Sequence, residues 1–234
     1  MKSNLFGYGI GTAFLLVVFA TVDAESPTAG AKVHCVDKLH ATVENGVTNT
    51  WVYDSEGRVI AIVGSKGRNR TFRYDLESGP KTVTEEYSGP GSSFSKVYLL
   101  GKHGLAKSDD AGVIYEYDPH RYLVRAIHPS YPSFMETRTI VGGNLASFTQ
   151  TGPYSDTRTY TYTSLDNCLD SGLYFLGERL RNWPATVTSS RDGVPLAYIT
   201  YSYELDSVGR VATRTAIVRI NSQVSEFVTN FSYE

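Results

Sequence analysis

Cysteine, methionine and tryptophan are scarce, with two of each among 234 residues. Two cysteines exclude a disulfide-dense scaffold and a multi-cysteine zinc site. Basic excess is missing as well: the net charge is -2 and the pI near 6.2, which removes the electrostatic footing of nucleic-acid binding. Beyond residue 24 no apolar run is long enough to span a membrane as a helix, so no span is expected after signal cleavage. No linker or low-complexity stretch divides the chain. Catalytic signatures are absent too: there is no glycine-flanked serine elbow, no HExxH pair and no phosphate-cradling loop. No cofactor is expected.

The first twenty-four residues read as a signal peptide. Lys2 supplies the basic start, the run from Ile10 to Ala20 the apolar core, and Val22-Asp23-Ala24 a small-residue cleavage site before Glu25. Residues 25–44 then form an N-terminal segment with a first strand, and residues 45–234 a single domain. Export implies a secreted or cell-envelope protein, in oxidising surroundings that allow Cys35 and Cys168 to bridge. A loop this long would gain about 4 to 5 kcal/mol from the bond. The competing reading is two small buried hydrophobes.

Seventeen tyrosines alternate with threonine, serine and charged residues, which is strand chemistry. In Thr157–Thr163 the threonines take one face and Arg158, Tyr160 and Tyr162 the other. Such runs recur at roughly ten-residue spacing between Gly, Asp, Asn, Ser and Pro clusters. The expectation is an all-β fold: a wide, curled antiparallel meander of about fourteen strands built from short-turn hairpins. One segment departs from the pattern. Leu169, Leu173, Leu176 and Leu180 fall at helical spacing, so residues 167–181 hold either one short helix, weakened by Gly172 and Gly177, or an ordered loop.

The sharpest motif is Tyr53-Asp54-Ser55-Glu56-Gly57-Arg58-Val59. Its aspartate can accept backbone N–H groups as the chain turns, and Gly57 can supply a positive φ. Tyr203 to Val211 repeats it with two residues inserted, placing Asp206, Gly209 and Arg210 in the corresponding roles. Tyr117-Asp118 opens a third copy in which Arg121 replaces the glycine, which argues against the same turn there. Tyr74-Asp75 begins a partial fourth. This pattern resembles the YD-repeat proteins related to rearrangement-hotspot and teneurin shells. It is most similar to a bacterial exported, envelope-associated group of unknown function. The resemblance implies a hairpin scaffold and supplies no catalytic residues.

Metal and acid–base constellations fail on geometry. His34, Cys35, Asp37 and His40 cannot face one ion from a single strand, so no metal site is expected. Asp109-Asp110 reads as turn chemistry, and Glu85 or Glu86 would need a distant carboxylate partner. Aromatic content is the functional hint that stays. Trp51, Tyr53, Tyr115, Tyr117, Tyr160, Tyr162, Tyr201 and Tyr203 suit sugar stacking or a protein contact on a sheet face, or else simple cross-strand packing. The leading expectation is a non-enzymatic module binding glycan or an envelope protein. The alternative is a half-barrel carrier of an apolar ligand lined by Val59, Ile60, Ile62, Leu123, Ile127, Ile199 and Val211. A glycan-active enzyme ranks third.

Overall fold

A computed structural model describes residues 38–77, 79–131, 133–167, 169 and 173–233. The signal segment, Cys35 and Cys168 lie outside the described residues. Strands β1 (Leu39–Glu44), β2 (Val47–Tyr53), β3 (Val59–Gly64), β4 (Asn69–Asp75), β5 (Thr82–Gly89) and β6 (Ser92–Leu100) form the first part of the wall. They are followed by β7 (Ala106–Asp109), β8 (Ile114–Tyr117), β9 (Leu123–Ile127), β10 (Met135–Val141) and β11 (Asn144–Thr151). The longer strands β12 (Asp156–Asp166), β13 (Asn182–Arg191), β14 (Val194–Leu205), β15 (Val211–Ile220) and β16 (Gln223–Tyr233) complete it.

Each strand pairs antiparallel with its sequence neighbours, and β1 pairs with β16, so the sheet is a closed barrel of sixteen strands. This corrects the open, curled meander of about fourteen strands expected from the sequence. Turn chemistry and alternation are local signals. Closure rests on Leu39–Glu44 meeting Thr229–Tyr233, a pairing that no local pattern encodes and that removes both sheet edges.

Alternation sorts the side chains into two unlike faces. Outward stand hydroxyls such as Thr159, Thr161, Thr186, Thr188, Thr200 and Ser202, and Thr161 and Thr186 hydrogen-bond across strands at 2.6 Å. Inward stand the aromatic rings and a belt of charge. The inward face is fixed by the long β12–β13 connection, which enters the barrel as a plug. Phe175 packs against Phe72, Tyr74 and Tyr98 with ring centroids 5.0 to 6.3 Å apart. Leu180 joins a second cluster around Trp183, Tyr162 and Val211. The plug carries one 3-10 turn, Tyr174–Leu176. Its leucines explain the helical spacing otherwise: Leu173 and Leu176 pack on the first cluster, Leu169 and Leu180 on the second. They therefore bridge two cores instead of forming one helix face. Gly177, at φ 105°, passes so close to Arg121 that an added Cβ would lie 2.7 Å from its carbonyl oxygen.

At the plug end the motif aspartates organise the turns. Asp54 Oδ1 accepts N–H bonds from Glu56 and Arg58, both at 2.9 Å, and Oδ2 accepts from Arg58 Nε at 2.7 Å. Asp206 does the same with Val208 and Arg210 at 2.9 to 3.0 Å, and again with the arginine Nε at 2.7 Å. Gly57 and Gly209 sit at φ 83° and 88°. The third copy adopts the same turn: Asp118 Oδ1 accepts from His120 and Tyr122 at 2.9 Å, while Arg121 takes φ 70° in the glycine position. Arginine at this position thus tolerates a conformation that its Cβ disfavours.

The tyrosines do a second job here. In five hairpins the strand ladder stops short of the plug end, and a tyrosine hydroxyl takes the carbonyl left over. Tyr53 donates to Leu39, Tyr74 to Val59, Tyr162 to Leu145, Tyr203 to Pro184 and Tyr233 to Val211. Arg58 and Arg210 then lie 4.9 and 4.7 Å over the Tyr74 and Tyr233 rings. Losing such a hydroxyl strands a carbonyl. Tyr203→Phe is therefore expected to lower the unfolding free energy by about 1 to 2 kcal/mol in urea titration, while Tyr198→Phe, on the exposed outer face, leaves it unchanged. Arg121→Gly is expected to raise stability by about 1 kcal/mol by relieving the left-handed backbone. The exposed Arg121–Glu178 pair that it removes is worth less than that.

Candidate functional site

The end opposite the plug is closed only by short connections, the longest being residues 128–134. Inward side chains there are partly solvated: Lys96, Arg138 and Glu136 are 30%, 23% and 25% exposed. All eight aromatic residues singled out from the sequence lie on the inner face. Trp51, Tyr53 and Tyr115 pack on the first cluster, and Tyr160, Tyr162 and Tyr203 belong to the second. Tyr117 donates to the Phe175 carbonyl in the plug at 3.5 Å. Tyr201 lies beneath Arg214, whose Cζ is 5.8 Å from its ring. Burial pushes the Tyr117, Tyr162 and Tyr203 phenols up, so these rings act as neutral hydrogen-bond donors.

Between plug and open end runs the charged belt, where each inward carboxylate has a partner. Glu85 accepts from Tyr98 at 2.9 Å and lies 3.4 Å from Arg70. Glu44 accepts from Thr229 at 2.6 Å, which in turn accepts from Arg214 at 2.8 Å. Glu136 holds Arg138 at 2.9 Å, and Arg138 and Arg158 flank the Phe148 ring at 5.3 and 5.6 Å. Asp109 is the most heavily engaged: Lys96 Nζ is 2.7 Å away, Tyr115 donates at 2.7 Å and the Val113 amide at 2.9 Å. Burial alone would raise the Asp109 carboxyl, and the bonds from Lys96, Tyr115 and Val113 outweigh it, holding the group below the usual range. The local sequence marks Asp109 as turn chemistry only. The Asp109-x-x-Gly112 spacing matches that of Asp54 and Gly57, and Gly112 does take φ 79°. The added ion pair had no local signal.

The seven carrier residues do not gather in one cavity. Val59 and Val211 are buried in separate clusters, and Ile60 is exposed. Glu86 points outward, away from Glu85.

At the open rim two residues that the sequence reading passed over come together. Tyr87 and Phe94 face each other across the β5–β6 hairpin and stack, with centroids 5.2 Å apart and planes 19° from parallel. Phe94 is 40% exposed. A groove of about 520 Å³ at the same hairpin is lined by Asn69, Thr71, Glu86, Ser88, Ser93 and Ser95, which by alternation stand on the outer face, across the sheet from the two rings. The signal was available, because Tyr87 and Phe94 stand at mirror positions around the two-residue turn Pro90-Gly91. Gly89 is needed beneath them, since a Cβ there would lie 2.3 Å from the Tyr87 hydroxyl.

Asp109→Asn leaves Lys96 without its buried partner and is expected to cost about 3 kcal/mol. Because the folded carboxyl titrates below its unfolded value, its contribution is full above about pH 4 and fades as pH falls further. Acid unfolding of the asparagine variant, followed by circular dichroism, should accordingly be less steep below pH 4.

No family model and no curated protein matches the chain. Among solved structures it is similar to a porin-like protein from Bacteroides uniformis, at 16% identity and a TM-score of 0.59, over 84% of this chain and 96% of that one. A porin-like protein from Bacteroides vulgatus gives 15% identity and a TM-score of 0.56, over 85% of this chain and 99% of that one. At such identities the likeness is one of fold: the chain has the barrel architecture of these porin-like structures.

Proposed function

We propose that the chain is a non-enzymatic exported barrel of the cell envelope that binds a neutral glycan at its open rim. The carrying observation is the Tyr87–Phe94 stack on the inner face of the open rim, with Phe94 40% exposed. A sugar ring offers an apolar face for stacking on such a pair, and the concave inner wall suits a chain-like ligand better than a flat protein surface. Export is supported by the signal-like N-terminus, and an envelope setting by the porin-like neighbours. The YD-type resemblance of the aspartate turns belongs to the same proposal.

The wall is read as facing water. A membrane barrel turns an apolar band outward and keeps its polar groups inside. On β12 to β14 threonine and serine stand outside among a few apolar side chains such as Leu196 and Tyr198, and Tyr160, Tyr162 and Tyr203 stand inside. Strands β7 and β8 have four residues each, about 13 Å of chain at 3.3 Å per residue, against a hydrocarbon core of about 30 Å. Among the described residues no helix is long and apolar enough to cross a membrane either. A carrier of apolar ligands is less well supported, because the plug fills the apolar end of the barrel. Catalysis by the inward carboxylates is disfavoured because each is already committed to a partner.

The test is a glycan array with the purified chain, followed by calorimetry on the best neutral ligand. Phe94→Ala is expected to weaken binding about tenfold, close to 1.4 kcal/mol, while Tyr131→Ala, also exposed at that end, leaves it unchanged. Absence of saturable neutral-glycan binding, or full affinity in Phe94→Ala, overturns the reading. The chain is also expected to stay monodisperse without detergent, and a requirement for detergent would overturn the water-facing wall.

A further inference from the structure

The plug end carries a second concavity that the rim site does not use. A cleft of about 430 Å³ opens between the Asp54–Arg58 turn, the β6–β7 loop and the tip of the plug, within the size range of ligand pockets. Its floor is apolar and aromatic, made by Leu100, Tyr74 and Phe175. Its lip is cationic: Arg58, Lys81, Lys102 and His103 line it, and among the described residues no aspartate or glutamate does. The Arg58 charge is answered by Asp54 at 2.7 Å and Glu56 at 2.9 Å. Lys81 and Lys102 are exposed, and neither forms an ion pair among the described residues. Tyr174, 49% exposed, also lines the cleft.

Two uncompensated ammonium groups over an aromatic floor call for a ligand with one or two negative charges on a compact ring. Lysine serves as a point charge for such a group and makes no bidentate demand. The loop geometry keeps the approach clear, because Gly104 sits at φ 74° and a Cβ there would meet nothing within 4 Å. Burial pushes the nearby Tyr74 phenol up to about 12, so the floor stays neutral and adds no repulsion.

We propose that this cleft is a binding site for an acidic sugar, its carboxylate or sulfate held between Lys81 and Lys102 and its ring resting against Tyr174. The site is independent of the rim site, from which it is separated by the length of the barrel.

Calorimetric titration of the full chain tests it with three probes: a galacturonic acid disaccharide, the neutral galactose disaccharide and inorganic sulfate. Saturable binding of the acidic disaccharide is expected. In the Lys81→Gln/Lys102→Gln double variant it should weaken at least tenfold, and in Tyr174→Ala several-fold, while Phe94→Ala leaves it intact. The affinity should also fall with added salt. All four substituted residues are exposed, and unchanged thermal unfolding verifies the fold. Equal affinity for the neutral disaccharide in the Phe94→Ala background, undiminished binding by the double variant, or sulfate alone matching the acidic disaccharide would each overturn the proposal. Loss of acidic binding in Phe94→Ala but not in the lysine variant would place the sugar at the rim and overturn it as well.

Discussion

A tyrosine hydroxyl bound to a carbonyl that the neighbouring strand no longer reaches is the contact on which the plug end depends. Closing a barrel around an inserted loop requires paired strands to part before their ends. Parting exposes carbonyls in a region too dry to hydrate them, and an orphaned buried acceptor costs about 1 to 3 kcal/mol. Tyrosine is the apolar residue long enough to reach such an acceptor while its ring lines the core. Leu39, Val59, Leu145, Pro184 and Val211 are all served in this way. The same rings then form the bed on which Phe175 and Leu180 rest.

The aspartate turns work alongside this contact. Each aspartate takes two amides of its own turn, which fixes the hairpin, while the following arginine covers a tyrosine from a neighbouring hairpin. Turn, ring and freed carbonyl thus couple adjacent hairpins without any long loop. Away from the plug the inner wall changes character, and paired charges replace rings. That gradient, apolar and filled at one end and polar and wet at the other, leaves the open rim accessible to ligand.

Much of the scaffold was legible in the residues. Period-two alternation in Thr157–Thr163 sorted tyrosine from threonine faces, and the Tyr53–Val59 motif located a turn with its aspartate and glycine roles. Closure was not legible, because the β1–β16 pairing has no local correlate. Nor was the fate of the leucines in 167–181, since helical spacing and alternation between two cores give the same sequence. Arg121 misled because residue preference is a prior that surrounding turns can override. The rim pair is hidden for a different reason: Tyr87 and Phe94 lie outside the long tyrosine–threonine runs and become neighbours only once the β5–β6 hairpin is folded.

One consequence follows from the self-sufficiency of the hairpins. Five of them carry their own ring-to-carbonyl tie, and neighbours along the wall meet through strand pairing and the turn arginines that cover the next hairpin's ring. Circumference is then a quantity that changes in whole steps, by gain or loss of one hairpin, with no compensating change demanded elsewhere in the wall. The width of the mouth, and with it the size of what can enter, would be set by a number of units and not by the redesign of any residue.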